Sequence, residues 1–254
     1  LQRQEFSEGN IYLTQPEIDQ GNVIVETIQN IISKSESDSI GLCFPGIKND
    51  RGVVIMANGP RIPDLLERIQ GIDSIPHDSD CCVLGEWKST IGKLQNCNNA
   101  VYIGGGTGIA DGIILKGKMI DFNARDDVKR SWELKIPSGE TIESCLSPKW
   151  MIHQWNLSQR EKVETLDQLS QNQNANTIFE KATEAFSFLI QNRTRFFKAN
   201  HAKIEKIVIG QRLGIFMADS KLISLLESNT DIPLDYSTDR RTAALGAAWK
   251  RICS

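Results

Sequence analysis

The chain has 254 residues, 40% of them hydrophobic, and its 29 Lys and Arg against 32 Asp and Glu leave a net charge of −3. That length and apolar content suffice for two cores of ordinary size, whereas the slight acidic balance with scattered basic residues excludes an extended nucleic-acid surface. No run approaches the length of a membrane-spanning helix and no signal peptide is visible, so the cytoplasm is the expected compartment, with neither membrane nor nucleic acid as partner.

In chain order, residues 18–34 have helical periodicity, and SIGLCFPG (39–46) reads as a buried strand running into a Pro-Gly turn. RGVVIMANGPRIPDLLERI (51–69) follows as a strand, an Asn-Gly turn and an amphipathic helix over 63–70. In SIPHDSDCCVLGEWKSTIG (74–92) a short strand delivers Asp78 to a helix predicted to start near Asp80. Residues 98–117 form an apolar strand, a Gly-Thr turn and a second apolar strand. The Asn- and Gln-rich segment 168–177 reads as a loop or helix junction. Helix 178–192 then places Ile178, Ala182, Ala185, Phe186 and Leu189 on one core-facing stripe. KIEKIVIGQRLGIF (203–216) is a strand, a glycine turn and a helix, and DRRTAALGAAWKRI (239–252) holds a small-residue helix over 241–252. Trp150 and Trp155 flank His153 and read as core packing, with an aromatic homodimer face as the alternative. An α/β first domain of residues 1–97 plus 242–254 and a second of residues 98–241 are expected.

The 98–117 segment carries the chemistry. Gly104, Gly105, Gly106 and Gly108 admit φ values closed to other residues and put no side chain between the amides and a ligand. Successive free N–H groups with the Thr107 hydroxyl make an anion nest. A dinucleotide fingerprint fails here, because Asp111 holds the third glycine position and a β-favouring run follows. GIILKGK (112–118) spells part of a P-loop, but Met119 stands where a Ser or Thr is required. A ligand-free glycine turn is the plain alternative for the hairpin taken alone.

Taken together, the Phe44-Pro45-Gly46 turn, His77-Asp78, Leu84-Gly85-Glu86, the hairpin, Ile209-Gly210 and the closing Ala-rich helix occur in the order that resembles the ROK family of sugar kinases and sugar-responsive repressors, within the actin, hexokinase and Hsp70 superfamily. The resemblance implies a two-domain α/β fold of the actin-like ATPase (ribonuclease H-like) type with an interdomain cleft, and ATP-dependent phosphorylation of a hexose or N-acetylhexosamine. ATP and Mg²⁺ would be the cofactors, and a sugar and a nucleotide the partners. Asp78 falls on the family's general base, with a helix N-cap as the alternative. Gly105, Gly106, Thr107 and Gly108 fall on the second phosphate loop. Gly210, Gln211 and Gly214 fall on the adenosine turn, Gln211 replacing a glycine and narrowing the pocket. Asn58, His77, Glu133 and Glu143 fall on sugar contacts, surface charge being the alternative for the two glutamates.

Several features depart from the family pattern. Ile136 replaces the histidine that closes E-x-G-H, and no cysteine precedes Glu143, so no zinc is expected. Cys43, Cys81, Cys82, Cys97, Cys145 and Cys253 lack metal-ligand spacing and suit buried free thiols. No D-x-G-G-T loop occurs in the first 22 residues, where Gly9–Thr14 would be the third strand of the fold. Either the sequence is incomplete at its start or half the phosphate clamp is lost. The second possibility favours the alternative function, a non-catalytic sugar- or nucleotide-binding protein; a repressor is disfavoured because no helix-turn-helix precedes the domain.

Overall fold

The computed structural model describes residues 1–37, 39–219 and 222–253. In chain order the elements are α1 (Gln2–Ser7), α2 (Gln15–Ser33), β1 (Ile47–Lys48), β2 (Val53–Ile55), α3 (Leu65–Arg68), α4 (Asp78–Lys88), β3 (Ala100–Gly105), β4 (Ile109–Leu115), β5 (Lys118–Met119), α5 (Glu143–Leu146), α6 (Pro148–Ser158), α7 (Leu166–Ser170), α8 (Asn176–Ala199), β6 (Lys206–Gly210), α9 (Gln211–Asp219), α10 (Leu222–Glu227), β7 (Leu234–Tyr236) and α11 (Thr242–Cys253). They divide into two compact units, Leu1–Gly85 with Ala243–Ser254, and Glu86–Thr242. The division falls after Gly85 rather than after residue 97. Glu86 accepts the Lys93 amide at 2.9 Å, and the Lys93 carbonyl accepts Lys206 Nζ from β6 at 3.2 Å, which ties this stretch to the second unit. No helix is long and apolar enough to cross a membrane among the described residues.

In the first unit α2 starts at Gln15 because Thr14 and Glu17 form a reciprocal capping box, with Pro16 in the first turn. A strand does not form over Gly9–Thr14: Gly9 turns into the left-handed region at φ 73°, and Thr14 is committed to capping α2. Nor is 39–46 a strand, for its one ladder contact is a bridge between Phe44 and His77. The sheet of this unit consists of β1 and β2, antiparallel, among the described residues. The core is correspondingly small: Val25, Val53, Met56, Ile62, Leu65, Ile69, Ile72 and Ile75. Backbones close up where side chains are few. A Cβ on Gly246 of α11 would overlap the Cys81 carbonyl of α4, and one on Gly41 would overlap the Ala247 carbonyl.

The second unit is built on a sheet of order β5-β4-β3-β6-β7, in which β3 pairs antiparallel with β4 and parallel with β6. Strand alternation turns Val101 and Ile103 of β3, with Ile109, Ile113 and Leu115 of β4, into one core beneath α8. The stripe on α8 extends beyond the predicted helix. Phe179, Ala182, Ala185, Phe186 and Leu189 are buried, and Phe196 and Phe197 continue the face to the helix end. Residues 168–177 are more ordered than a loop, closing α7 at Ser170 and making a 3₁₀ turn over Gln173–Ala175. Trp155 is buried in the core and donates its indole N–H to the Glu161 carbonyl at 2.8 Å. The P-loop-like GIILKGK lies on β4 and in a tight turn to β5, with Lys116 at φ 51° and Gly117 at φ 70°, the pattern of a two-residue hairpin. No disulfide joins the six cysteines among the described residues, and Cys81, Cys82 and Cys145 are buried.

One polar pair sits inside this apolar packing. Asp111 of β4 and Arg193 of α8 are both fully buried and joined at 2.7 Å. Asp111 also accepts the Ser131 amide at 2.8 Å, and Arg193 donates to the Lys129 carbonyl at 2.7 Å, so the pair fixes β4, α8 and the 129–131 segment to one another.

Candidate functional site

The β3–β4 hairpin ends in a turn at Thr107. Gly105 pairs with Ile109, and the Gly106 amide donates to the Gly108 carbonyl at 2.9 Å. The Thr107 and Gly108 amides and the Thr107 hydroxyl have no hydrogen-bond partner among the described residues. Two successive amides and a hydroxyl on exposed or half-buried backbone are the donors an anion would need. The set is narrower than the sequence implied, since the Gly106 amide is used within the turn.

The glycines are required for a different reason than predicted. None of Gly104, Gly105, Gly106 and Gly108 takes a left-handed φ. Close approach governs instead: a Cβ on Gly105 would lie 2.6 Å from Leu213 Cβ of α9, and one on Gly108 would overlap the Glu143 carboxylate. That carboxylate, at the first residue of α5, accepts the Ile109 amide at 3.1 Å and flanks the nest on the β4 side.

Gln211 flanks it on the β6 side. As the first residue of α9 it makes a parallel bridge to Gly105, and its backbone lies in the left-handed region at φ 60°. A Cβ on Gly104 would stand 3.1 Å from Gln211 Cδ, and one on Gly106 would stand 3.6 Å from Oε1, so the side-chain amide rests in the space those glycines leave. Gly210 is needed because a Cβ there would overlap the Tyr102 hydroxyl, and Gly214 because one would overlap the Ile209 carbonyl. The second unit thus brings together Gly105, Gly106, Thr107, Gly108, Glu143 and Gln211, supported by Gly210 and Gly214. Glu133 has a local role: it is exposed, and its Oε2 accepts the Arg130 amide at 2.8 Å to close a 3₁₀ turn over Ser131–Glu133.

In the first unit Asp78 is the first residue of α4 and is half-buried. The helix starts two residues before the predicted Asp80, and the Cys81 amide bonds the His77 carbonyl at 3.1 Å. Among the described residues the Asp78 carboxylate makes no hydrogen bond, so it does not cap the helix and keeps its acceptor capacity. Beside it stands Lys48, which the sequence did not bring forward. Its Nζ donates to the Gly46 carbonyl at 2.9 Å and lies 3.2 Å from His77 Nδ1. An ammonium only donates, so the charged Lys48 sets His77 Nδ1 as the acceptor. Burial brings the Lys48 pKa down to about 8, against the opposing pull of the Asp78 and Asp80 carboxylates. Asn58 is exposed in the turn after β2, and no hydrogen bond among the described residues links it to this group. No three His, Cys, Asp or Glu side chains among the described residues stand close enough to hold a metal ion.

No protein-family sequence model matches the chain, and no characterised protein matches it in sequence. Solved structures do match. The ROK hexokinase of Thermus thermophilus aligns at a TM-score of 0.70 and 17% identity over 91% of this chain and 86% of that one. A ROK family glucokinase from Streptomyces griseus, in complex with glucose and AMPPNP, aligns at 0.67 and 13% identity over 96% and 90%. A ROK family transcriptional regulator, a homolog of the E. coli MLC protein, aligns at 0.64 and 15% identity over 93% of this chain and 68% of the regulator. The chain has the two-domain α/β fold of the ROK sugar kinases.

Proposed function

We propose that this chain is a ROK-family sugar kinase that transfers the γ-phosphoryl group of ATP to a hydroxyl of a hexose or N-acetylhexosamine. The observation that carries the proposal is the set of hydrogen-bonding groups at Thr107 and Gly108, on glycine-cleared backbone, and the Asp78 carboxylate in the first unit, which have no hydrogen-bond partner among the described residues. Phosphoryl transfer needs little covalent help from a protein: positioned donors for the phosphates and one acceptor for the hydroxyl proton suffice. Thr107 and Gly108 would hold a phosphate, and Asp78 would take the proton of the attacking hydroxyl. Lys48 and His77 supply a fixed cation and ring beside it. The open tip fits one phosphate of ATP, because two amides and a hydroxyl with no glycine side chain over them are a phosphate site. Mg²⁺ would accompany the nucleotide, bound mainly by phosphate oxygens and water, which asks for one or two carboxylates at most. The Glu143 carboxylate stands against the turn, at the Ile109 amide.

A second function, sugar or nucleotide binding without turnover, is favoured by one observation, the Gln211 amide resting on the hairpin. The structural likeness to a ROK regulator is compatible with it. ATP consumption measured against a panel of hexoses and N-acetylhexosamines separates the two. Turnover that depends on one sugar supports the kinase. A rise in melting temperature with sugar or nucleotide, but no turnover with any sugar, supports the binding protein.

A further inference from the structure

Gln211 combines two features that a residue in an ordinary strand-to-helix turn does not need. Its backbone is held at φ 60°, where a residue with a Cβ is strained and glycine is not. Its side chain folds back over the hairpin instead of into solvent, with Cδ 3.1 Å from the Cβ position of Gly104 and Oε1 3.6 Å from that of Gly106. The hairpin therefore offers two surfaces of different availability. The tip, at Thr107 and Gly108, has open donors among the described residues, while the strand end is covered, Gly104 by the Gln211 amide together with the Tyr102 ring and Gly106 by the Gln211 amide. On the far side of the tip the Glu143 carboxylate occupies the Ile109 amide. What remains between Glu143 and Gln211 is two backbone amides and one hydroxyl, a donor count that suits one tetrahedral oxyanion.

We infer that Gln211 sets which phosphate ligand the hairpin accepts: its amide withholds the Gly104–Gly106 surface from a polyphosphate chain and leaves the tip for a single phosphoryl group. The inference rests on the hairpin being the phosphate site of the proposed kinase. A nucleoside triphosphate that lies along the hairpin must first displace the amide, and that displacement lowers its affinity relative to a lone phosphate.

Calorimetric titration of the full chain with ATP, tripolyphosphate and inorganic phosphate tests this in wild type, Gln211→Gly and Gln211→Ala. Both substitutions remove the amide, and only glycine also relieves the left-handed backbone. In both variants ATP and tripolyphosphate are expected to bind at least about tenfold tighter, with inorganic phosphate changed by less than about twofold. The unfolding midpoint is expected to rise by about 2–4 °C in Gln211→Gly and to stay near wild type in Gln211→Ala. Tighter triphosphate binding in the glycine variant alone would assign the effect to backbone relief and overturn the inference. So would equal ATP affinity in all three proteins, which leaves the hairpin as a nucleotide site. If neither ATP nor phosphate binds any of them, the hairpin is not a phosphate site, and the proposed kinase falls together with the inference.

Discussion

The two units solve the same packing problem by different means. The second packs 33 described hydrophobic residues into one buried cluster around a five-stranded sheet, and the first packs 8 into its cluster beside a two-stranded one. What the first unit lacks in apolar burial it replaces with ion pairs and backbone contact. Arg61, only 4% exposed, gathers Glu5 of α1 and Glu17 of α2, with the Tyr12 carbonyl as a further acceptor. A core of side chains tolerates adjustment by neighbouring rotamers. A guanidinium fork and a backbone-to-backbone crossing do not. The second unit can accordingly hold a rigid glycine hairpin on its sheet, while the candidate base sits at the start of a helix packed by closely approaching glycines.

The largest effect of breaking this contrast is expected inside the second unit, at the buried Asp111–Arg193 pair. Arg193→Met leaves the Asp111 carboxylate buried beside a single remaining amide donor, and unfolding stability in urea is expected to fall by about 3–5 kcal/mol. In the first unit, Arg61→Met removes charge-assisted bonds to Glu5 and Glu17, an expected loss of roughly 1.5–3 kcal/mol. Hydrogen exchange should then rise across α1 and α2 while β3 and β4 stay protected.

The same network gives a pH signature. The Arg61 guanidinium holds the Glu17 carboxyl at about 2, below its ordinary value of 4.5. The folded state binds this proton less readily than the unfolded one, so the contribution is complete above pH 4.5 and is lost as pH falls toward 2. Acid titration of wild type and Arg61→Met should diverge least at the low end of that window. Gly246→Ala, which forces α11 off the Cys81 carbonyl, is expected to cost about 3 kcal/mol, read as a lower melting temperature.

The same contrast governs how much the sequence revealed. The hairpin was legible because its signal is local: glycines and a threonine between two β-branched runs, with strand pairing set by the turn. The α8 stripe was legible from its period. The first unit was less so, since the apolar run at 39–46 suggested a strand but, among the described residues, makes one bridge, from Phe44 to His77. Arg193 and Asp111 lie 82 residues apart, and no periodicity links a polar residue in a strand to one in a helix. Lys48 reaches His77 across 29 residues in the same way. Gln211 was visible as a departure from glycine, but that its backbone keeps a glycine-like φ, and that its amide folds onto Gly104, are properties of the folded turn.

In the proposed kinase the two units divide the work, with phosphates taken by the hairpin and the hydroxyl proton by Asp78. Turnover and nucleotide affinity measured together in Asp78→Asn test it most directly. The account predicts that sugar-dependent ATP consumption falls by about 10²–10⁴-fold while ATP still binds as in wild type. Sugar-dependent turnover that survives the substitution would contradict it.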